Sequence, residues 1–245
     1  MAKKIAIIGY GKMGHMIEAI ALERGHEIVC RIDKTPSGSL LEGERMVYSP
    51  EEGFDSEAFR SADVAIEFTT PATAEENIRK AWAQGVPVVS GSTGWKPEQF
   101  TIHNAQCTIK QDGSKIIIRN EEGKVMLVWS SNYSVGVNIF FDINKRLAEE
   151  MASQPQYTPS ITETHHIHKL DKPSGTAKTL AEQIGRELPI TSIREGEVPG
   201  THEVKWDSEE DTIIITHIAK GRRGFALGAV LAAEAIHNSQ CTMHN

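Results

Sequence analysis

The chain has 245 residues, of which 39% are hydrophobic and 24% charged, with a formal net charge of −7. That length suits one large domain or two modest ones, and the composition is ordinary for a soluble globular protein. The acidic balance argues against a nucleic-acid or membrane-surface binder, leaving room for a local basic pocket. Three cysteines, Cys30, Cys107 and Cys241, stand without CxxC spacing. They form neither a disulfide framework nor a zinc module and suit a reducing cytoplasm. No apolar stretch approaches the ~20 residues that span a bilayer. The apolar run after Lys3-Lys4 stops at Gly9, too short for a signal peptide.

Ile5 to Ile8 is a short continuous apolar run, as in a strand buried on both faces. It runs into Gly9-Tyr10-Gly11-Lys12-Met13-Gly14, and a helical pattern follows to about Gly25. A second strand, Glu27 to Ile32, ends at Asp33, which lies 19 residues beyond Gly14. The strand, helix and acid turn a weak GxGxxG into a dinucleotide-binding signature. The first glycine permits the turn, the second lets backbone approach a pyrophosphate, and the third lets helix pack on strand. Asp33 is placed to bond the ribose hydroxyls and favours NADH, since a carboxylate repels a 2′-phosphate. Lys34 can attract that phosphate instead, so the expectation is NADH preferred with NADPH accepted.

Residues 34 to 62 read as loop with one short strand near Met46-Val47-Tyr48. Val64 to Ile66 is a third strand, followed by a helix from Ala72 to Gln84 and a fourth strand, Val86 to Val89. The strand ends at Gly9 to Gly14, Phe68 to Pro71 and Gly91-Ser92-Thr93 together predict one cofactor groove, because doubly wound sheets bind ligands outside their carboxyl ends. A helix is expected over 97–105, and hairpin turns at 111–113 and 121–123 flank Lys115 to Arg119. Val125 to Trp129 is a strand ending in Ser130-Ser131-Asn132-Tyr133-Ser134. The next helix carries Phe140, Ile143, Leu147 and Met151 as core positions. From Pro159 the style changes: strands at 159–164, 190–194, 197–206 and 211–219 surround a helix ending near Leu188. A last helix, Ala226 to Ile236, is expected to return to the first domain. The expected fold is α/β, with an N-terminal Rossmann-like parallel sheet (1–133 and 219–245) and a C-terminal α+β domain with a mixed sheet (134–218).

Most of the chemistry is packed into Glu163 to Thr176, Glu-Thr-His-His-Ile-His-Lys-Leu-Asp-Lys-Pro-Ser-Gly-Thr. Three histidines and Lys169 gather proton donors and cations. Ser or Thr at the head of the following helix can cap it, and that helix end can seat an anion. This predicts a site that binds a carboxylate-bearing small molecule and hands it a proton. A metal is the competing reading. On a strand, however, His165 and His166 point to opposite faces, and Lys169 would repel a cation beside His166 and His168; no metal is expected.

This order of pieces resembles the 4-hydroxy-tetrahydrodipicolinate reductase family of the lysine and diaminopimelate pathway. The match runs through Glu163–Thr176, Gly9 to Gly14, Gly91 to Gly94, Ser131 to Asn138, Gly196 to His202 and Phe225 to Ala229. The resemblance implies that His165 is the catalytic acid/base and Lys169 the proton donor. It implies that His166, Gly175 and Thr176 contact substrate carboxylates. The cofactor would lie along Gly9, Tyr10, Gly11, Lys12, Met13 and Gly14, along Asp33, along Gly91, Ser92 and Thr93, and along Ser130, Ser131, Asn132 and Tyr133. It further implies a homotetramer joined through the substrate domain. With the two ligands on different domains, closure is expected, hinged near Ser134 and Ala219, where the chain crosses. The chain departs from the family pattern at Glu67, where Asp is usual, in 101–129, and in the polar tail 238–245. Two other readings stand beside it: a dehydrogenase of another small acid or semialdehyde, and a non-catalytic dinucleotide-sensing protein. A His-rich metal hydrolase is a third.

Overall fold

The computed structural model describes residues 1–35, 47–97, 108–112 and 115–236. The expected helix over 97–105, the tip of the turn at Gly113, residue Met46 and the tail 238–245 lie outside the described residues. The chain divides into two compact units, Met1–Tyr133 with Phe225–His244, and Ser134–Gly224.

The first unit is built on a seven-stranded sheet in the order β2-β1-β3-β4-β7-β6-β5. Its strands are β1 (Lys4–Ile8), β2 (Glu27–Ile32), β3 (Val64–Glu67), β4 (Val88–Ser90), β5 (Thr108–Asp112), β6 (Lys115–Arg119) and β7 (Val125–Ser130). The pairings from β2 across to β7 are parallel, and β6 and β5 add antiparallel. Alternation in β1 shows why these strands read as unbroken apolar runs. Ile5 and Ile7 pack with Ile17, Ile20 and Ala21 of α1 (Lys12–Glu23) and with Ala229 and Val230 of α7 (Arg223–Ala235). Ala6 and Ile8 pack on the other face with Ile78 and Ala81 of α4 (Pro71–Ala83) and with Phe54 and Phe59. Both faces are covered, so polar alternation has no place.

Two short helices occupy a stretch that composition marks as loop: α2 (Pro50–Gly53) and α3 (Glu57–Arg60). Ser49 and Ser56 cap them, accepting from Glu52 N–H at 3.3 Å and Phe59 N–H at 3.0 Å. The signal was present, since Ser-Pro-Glu-Glu is a capping box with proline at its first helical position. Tyr48 forms only an isolated bridge to Ile32.

The second unit is a four-stranded sheet, β11-β10-β8-β9, with two helices on one face. The strands are β8 (Thr158–His165), β9 (Ile190–Arg194), β10 (Thr201–Asp207) and β11 (Thr212–Ile218). The helices are α5 (Val135–Met151) and α6 (Gly175–Ile184). Phe140, Phe141, Met151, Leu180, Ile161, Val204 and Trp206 form the core. Ile143 has the spacing of a core position, but it is 48% exposed; three residues on from Phe140, it falls at the margin of the buried stripe of α5. The α6 helix stops at Gly185 (φ 71) before Leu188, and β10 starts only after Gly196 (φ 45) and Gly200 (φ 149). No helix among the described residues is long and apolar enough to cross a membrane.

Small residues fix how α7 sits in the first unit. A Cβ on Gly228 would lie 1.6 Å from the carbonyl oxygen of Tyr133. Glu234 further along α7 accepts from Arg24 Nε (2.6 Å) and from His26 Nε2 (2.7 Å). The Arg24 hydrogen bond is the main reason its carboxyl falls to about 2. Gly228→Ala is expected to cost at least ~2 kcal/mol, seen as a lower denaturant midpoint with little change in slope.

Candidate active site

In the first unit the glycine loop has the geometry of a phosphate cradle. Gly9 holds φ 91, and a Cβ there would meet Phe68 O at 2.2 Å. A Cβ on Gly14 would meet Gly9 O at 2.4 Å, which is why the helix approaches the strand so closely. Gly11 faces open space. It opens α1 without a side-chain cap, so the first N–H groups of the helix remain for an anion. Lys12 and Met13 form the first turn. Asp33 at the end of β2 accepts from Tyr10 N–H at 2.7 Å and from Thr35 N–H at 3.0 Å, which ties the adjacent loops together. Lys34 beside it is exposed. These residues fit a dinucleotide.

The other expected cofactor residues divide by exposure. Thr93 and Ser131 are exposed, and Gly91 and Asn132 are half-buried. Ser92, Ser130 and Tyr133 are buried with their hydroxyls engaged inside the protein. Ser130 donates to Asn132 O (2.9 Å), and Tyr133 donates to Val128 O (2.7 Å). Glu67 explains Ser92. It is fully buried and accepts from Ser90 Oγ (2.5 Å), Ser92 Oγ (2.7 Å), Thr69 N–H (2.9 Å) and the Thr69 hydroxyl. Through these bonds it joins the loops after β3 and β4. A shorter Asp would have to span the same distance with one methylene fewer.

In the second unit, β8 carries Ile161, Glu163 and His165 on its buried face, because side chains two apart share a face. Cross-strand register then lines up His217, His202, Glu163 and Ser192 across the whole sheet. Glu163 is fully buried and His165 is 8% exposed. The Glu163 carboxylate accepts from His165 Nδ1 in a short hydrogen bond and from both terminal nitrogens of Arg194, at 2.9 and 3.1 Å. Burial alone would raise the Glu163 carboxyl. Hydrogen bonds from Arg194, Ser192 and His165 outweigh that and hold it below the usual value.

With Nδ1–H committed to Glu163, His165 presents Nε2. Gly200 leaves that atom clear, since a Cβ there would lie 3.0 Å from it. Burial lowers the His165 pKa; Glu163 opposes this, and Lys169 and Arg194 add to it. Lys169 is held 2.7 Å from Asp171. His166 is half-buried with Nδ1 lacking a hydrogen-bond partner among the described residues, while His168 is exposed near Glu197 at 3.5 Å. Gly175 is exposed and Thr176 half-buried in the first turn of α6, which Ser174 caps by accepting from Ala177 N–H. The Ser174 hydroxyl also lies 3.1 Å from His202 Nε2, and the His202 ring stands edge-on to His165 at 5.0 Å. The imidazole therefore neighbours the N-terminal end of α6.

Residues 3–133 match the family model for Dihydrodipicolinate reductase, N-terminus, and residues 136–245 match that for its C-terminus. The chain belongs to the dihydrodipicolinate reductase family. A relative from Christiangramia forsetii, named 4-hydroxy-tetrahydrodipicolinate reductase, is 40% identical over 94% of this chain and 90% of its own. One of the same name from Methanoculleus marisnigri is 34% identical over 95% and 92%. The dipicolinate-bound dihydrodipicolinate reductase from Paenisporosarcina sp. TG-14 shares the fold, with a TM-score of 0.69 at 20% identity over 97% and 95% of the two chains.

Within this reductase fold the metal question changes its residues. Atoms of Glu163, His165 and His202 all lie within 4.8 Å of one another, whereas sequence spacing alone puts His166 and His168 on one face. Arg194 and Lys169 supply positive charge there, which disfavours a cation. Sequence reasoning missed Arg194 and left His202 without a role. The alternation that buries Val204 and Trp206 could have flagged His202 as a buried polar residue.

Burial, then the neighbouring His165, pushes His202 down to about 4. The folded state therefore binds fewer protons than the unfolded chain between roughly pH 6.5 and pH 4, and stability is lost as pH falls through that window. Denaturant midpoints at pH 7 and pH 4.5 are expected to show a loss that His202→Gln reduces by about 2 kcal/mol.

Proposed function

We propose that this chain reduces 4-hydroxy-tetrahydrodipicolinate to tetrahydrodipicolinate, with NADH preferred and NADPH accepted. The supporting observation is the buried Glu163–His165 pair beside the head of α6, in a chain of this family. The glycine cradle in the first unit suits the nucleotide, and Asp33 favours NADH through repulsion of a 2′-phosphate. The bound cofactor supplies hydride.

The substrate is a cyclic dicarboxylate that, once its hydroxyl has left as water, carries a C=C bond conjugated to the ring C=N. Addition of hydride at the carbon that bore the hydroxyl drives charge toward the ring nitrogen, and the neighbouring carbon takes up a proton. Amides of Gly175 and Thr176, with His166, bind the carboxylates. Lys169 or His165 delivers the proton, and their positive charge stabilises the developing anion. His165 is held mostly neutral at rest; an arriving dianion raises its pKa and charges it.

We also infer a cytoplasmic homotetramer joined through the second unit. Support comes from β11, an edge strand on which Ile213, Ile214 and Ile218 are 36%, 52% and 64% exposed. An apolar edge strand of this kind is normally covered.

The deciding experiment is a coupled assay in which the substrate is made enzymatically from pyruvate and aspartate semialdehyde while NADH absorbance is followed. No substrate-dependent oxidation would reject the reading. His165→Gln and Lys169→Ala are each expected to lower turnover by ~10² or more with little change in NADH affinity. His166→Ala is expected mainly to raise the substrate KM. Steady-state comparison of the two cofactors should favour NADH; a strong NADPH preference would overturn the part given to Asp33.

A further inference from the structure

Arg194, the last residue of β9, pairs in register with His165 at the end of β8. Its side chain is only 8% exposed. Nη1 donates to Glu163 Oε2 (3.1 Å) and Ile193 O (2.7 Å). Nη2 donates to Glu163 Oε1 (2.9 Å) and Asp171 O (2.6 Å), and Nε donates to Lys169 O (3.2 Å). A guanidinium has five N–H donors, and all five are used within the protein. None remains for a substrate carboxylate, so Arg194 is not a substrate ligand.

What it does hold is specific. It grips the carboxylate that orients His165, and it grips the backbone at Lys169 and at Asp171, whose own carboxylate holds the Lys169 ammonium. We propose that Arg194, acting through Glu163, is the positioning residue that sets the geometry of the two proton donors, His165 and Lys169, relative to each other. One planar ion bridges the strand and the turn that carry them, and keeps Glu163 ionised so that His165 stays in the Nδ1–H tautomer. Lysine cannot replace it, because one ammonium has three donors and no fork. The inference rests on the catalytic reading of His165 and Lys169.

The charged and titratable groups facing His165 are Glu163 on its own strand, Arg194 on β9, His202 on β10 and Lys169 in the following turn. Removing a positive neighbour and removing the carboxylate must therefore move its titration in opposite directions. In pH profiles of kcat/KM, Arg194→Ala is expected to shift the limb assigned to His165 to higher pH, and Glu163→Gln to shift it to lower pH. A purely structural role would produce no such opposed pair. Both variants should lower kcat by ~10²-fold with NADH affinity within about threefold of wild type. Guanidinium ion added at sub-denaturing concentration should restore part of the turnover of Arg194→Ala and none of that of His165→Gln.

Removing Arg194 leaves Glu163 buried without a cation. If the alanine variant does not fold, Arg194→Lys carries the test: it keeps the charge, so its pH limb should stay near wild type while kcat falls ~10-fold. Wild-type kcat in Arg194→Lys and Glu163→Gln, alongside an inactive His165→Gln, would overturn this positioning role alone. A fully active His165→Gln would instead remove the catalytic reading beneath it.

Discussion

A fully buried carboxylate is held in place by the second unit. Glu163 is fully enclosed, and an ionised carboxylate in such surroundings is tolerable only when charge and hydrogen bonds replace its hydration. The Arg194 fork and the His165 imidazole do that. The same bonds that make the burial tolerable also aim the imidazole and anchor the turn bearing Lys169. Structural necessity and the proposed chemistry share one set of contacts, so neither can be altered separately.

The first unit meets a comparable constraint with neutral donors. Glu67 is equally enclosed, but three hydroxyls and one amide surround it. Those donors come from the end of β4 and from the loops following β3 and β4, so the buried acid ties the carboxyl ends of these two strands together. Close packing completes it: Gly9 lies under Phe68, Gly14 under Gly9, and Gly91 against the Phe68 ring. The glycine loop combines tight backbone contacts on one side with open space at Gly11 on the other.

Much of this was legible along the chain. Unbroken apolar runs at Ile5–Ile8 and Val64–Ile66 marked strands covered on both faces. The Gly9–Gly14 spacing marked the cradle, and Ser174 marked the start of α6. The capping signals at Ser49 and Ser56 sit among prolines and glycines, whose loop signal outweighs them. The spacing of Ile143 fits the apolar stripe of α5, although its side chain falls at the margin of that stripe. His165 stands out in the sequence, but its burial does not.

Local order determined what sequence alone could determine: helix caps, strand alternation and the glycine turn depend on residues a few positions apart, whose geometry the backbone itself imposes. The acid centre was decided by tertiary structure. Arg194 meets Glu163 across 31 positions, and Ser174 meets His202 across 28. Which arginine reaches the carboxylate depends on the parallel register of β8 and β9, and the depressed titration of His202 depends on burial beneath two helices. Pairing register and dielectric surroundings exist only once the sheet has formed, because both come from residues that are distant along the chain and adjacent in space.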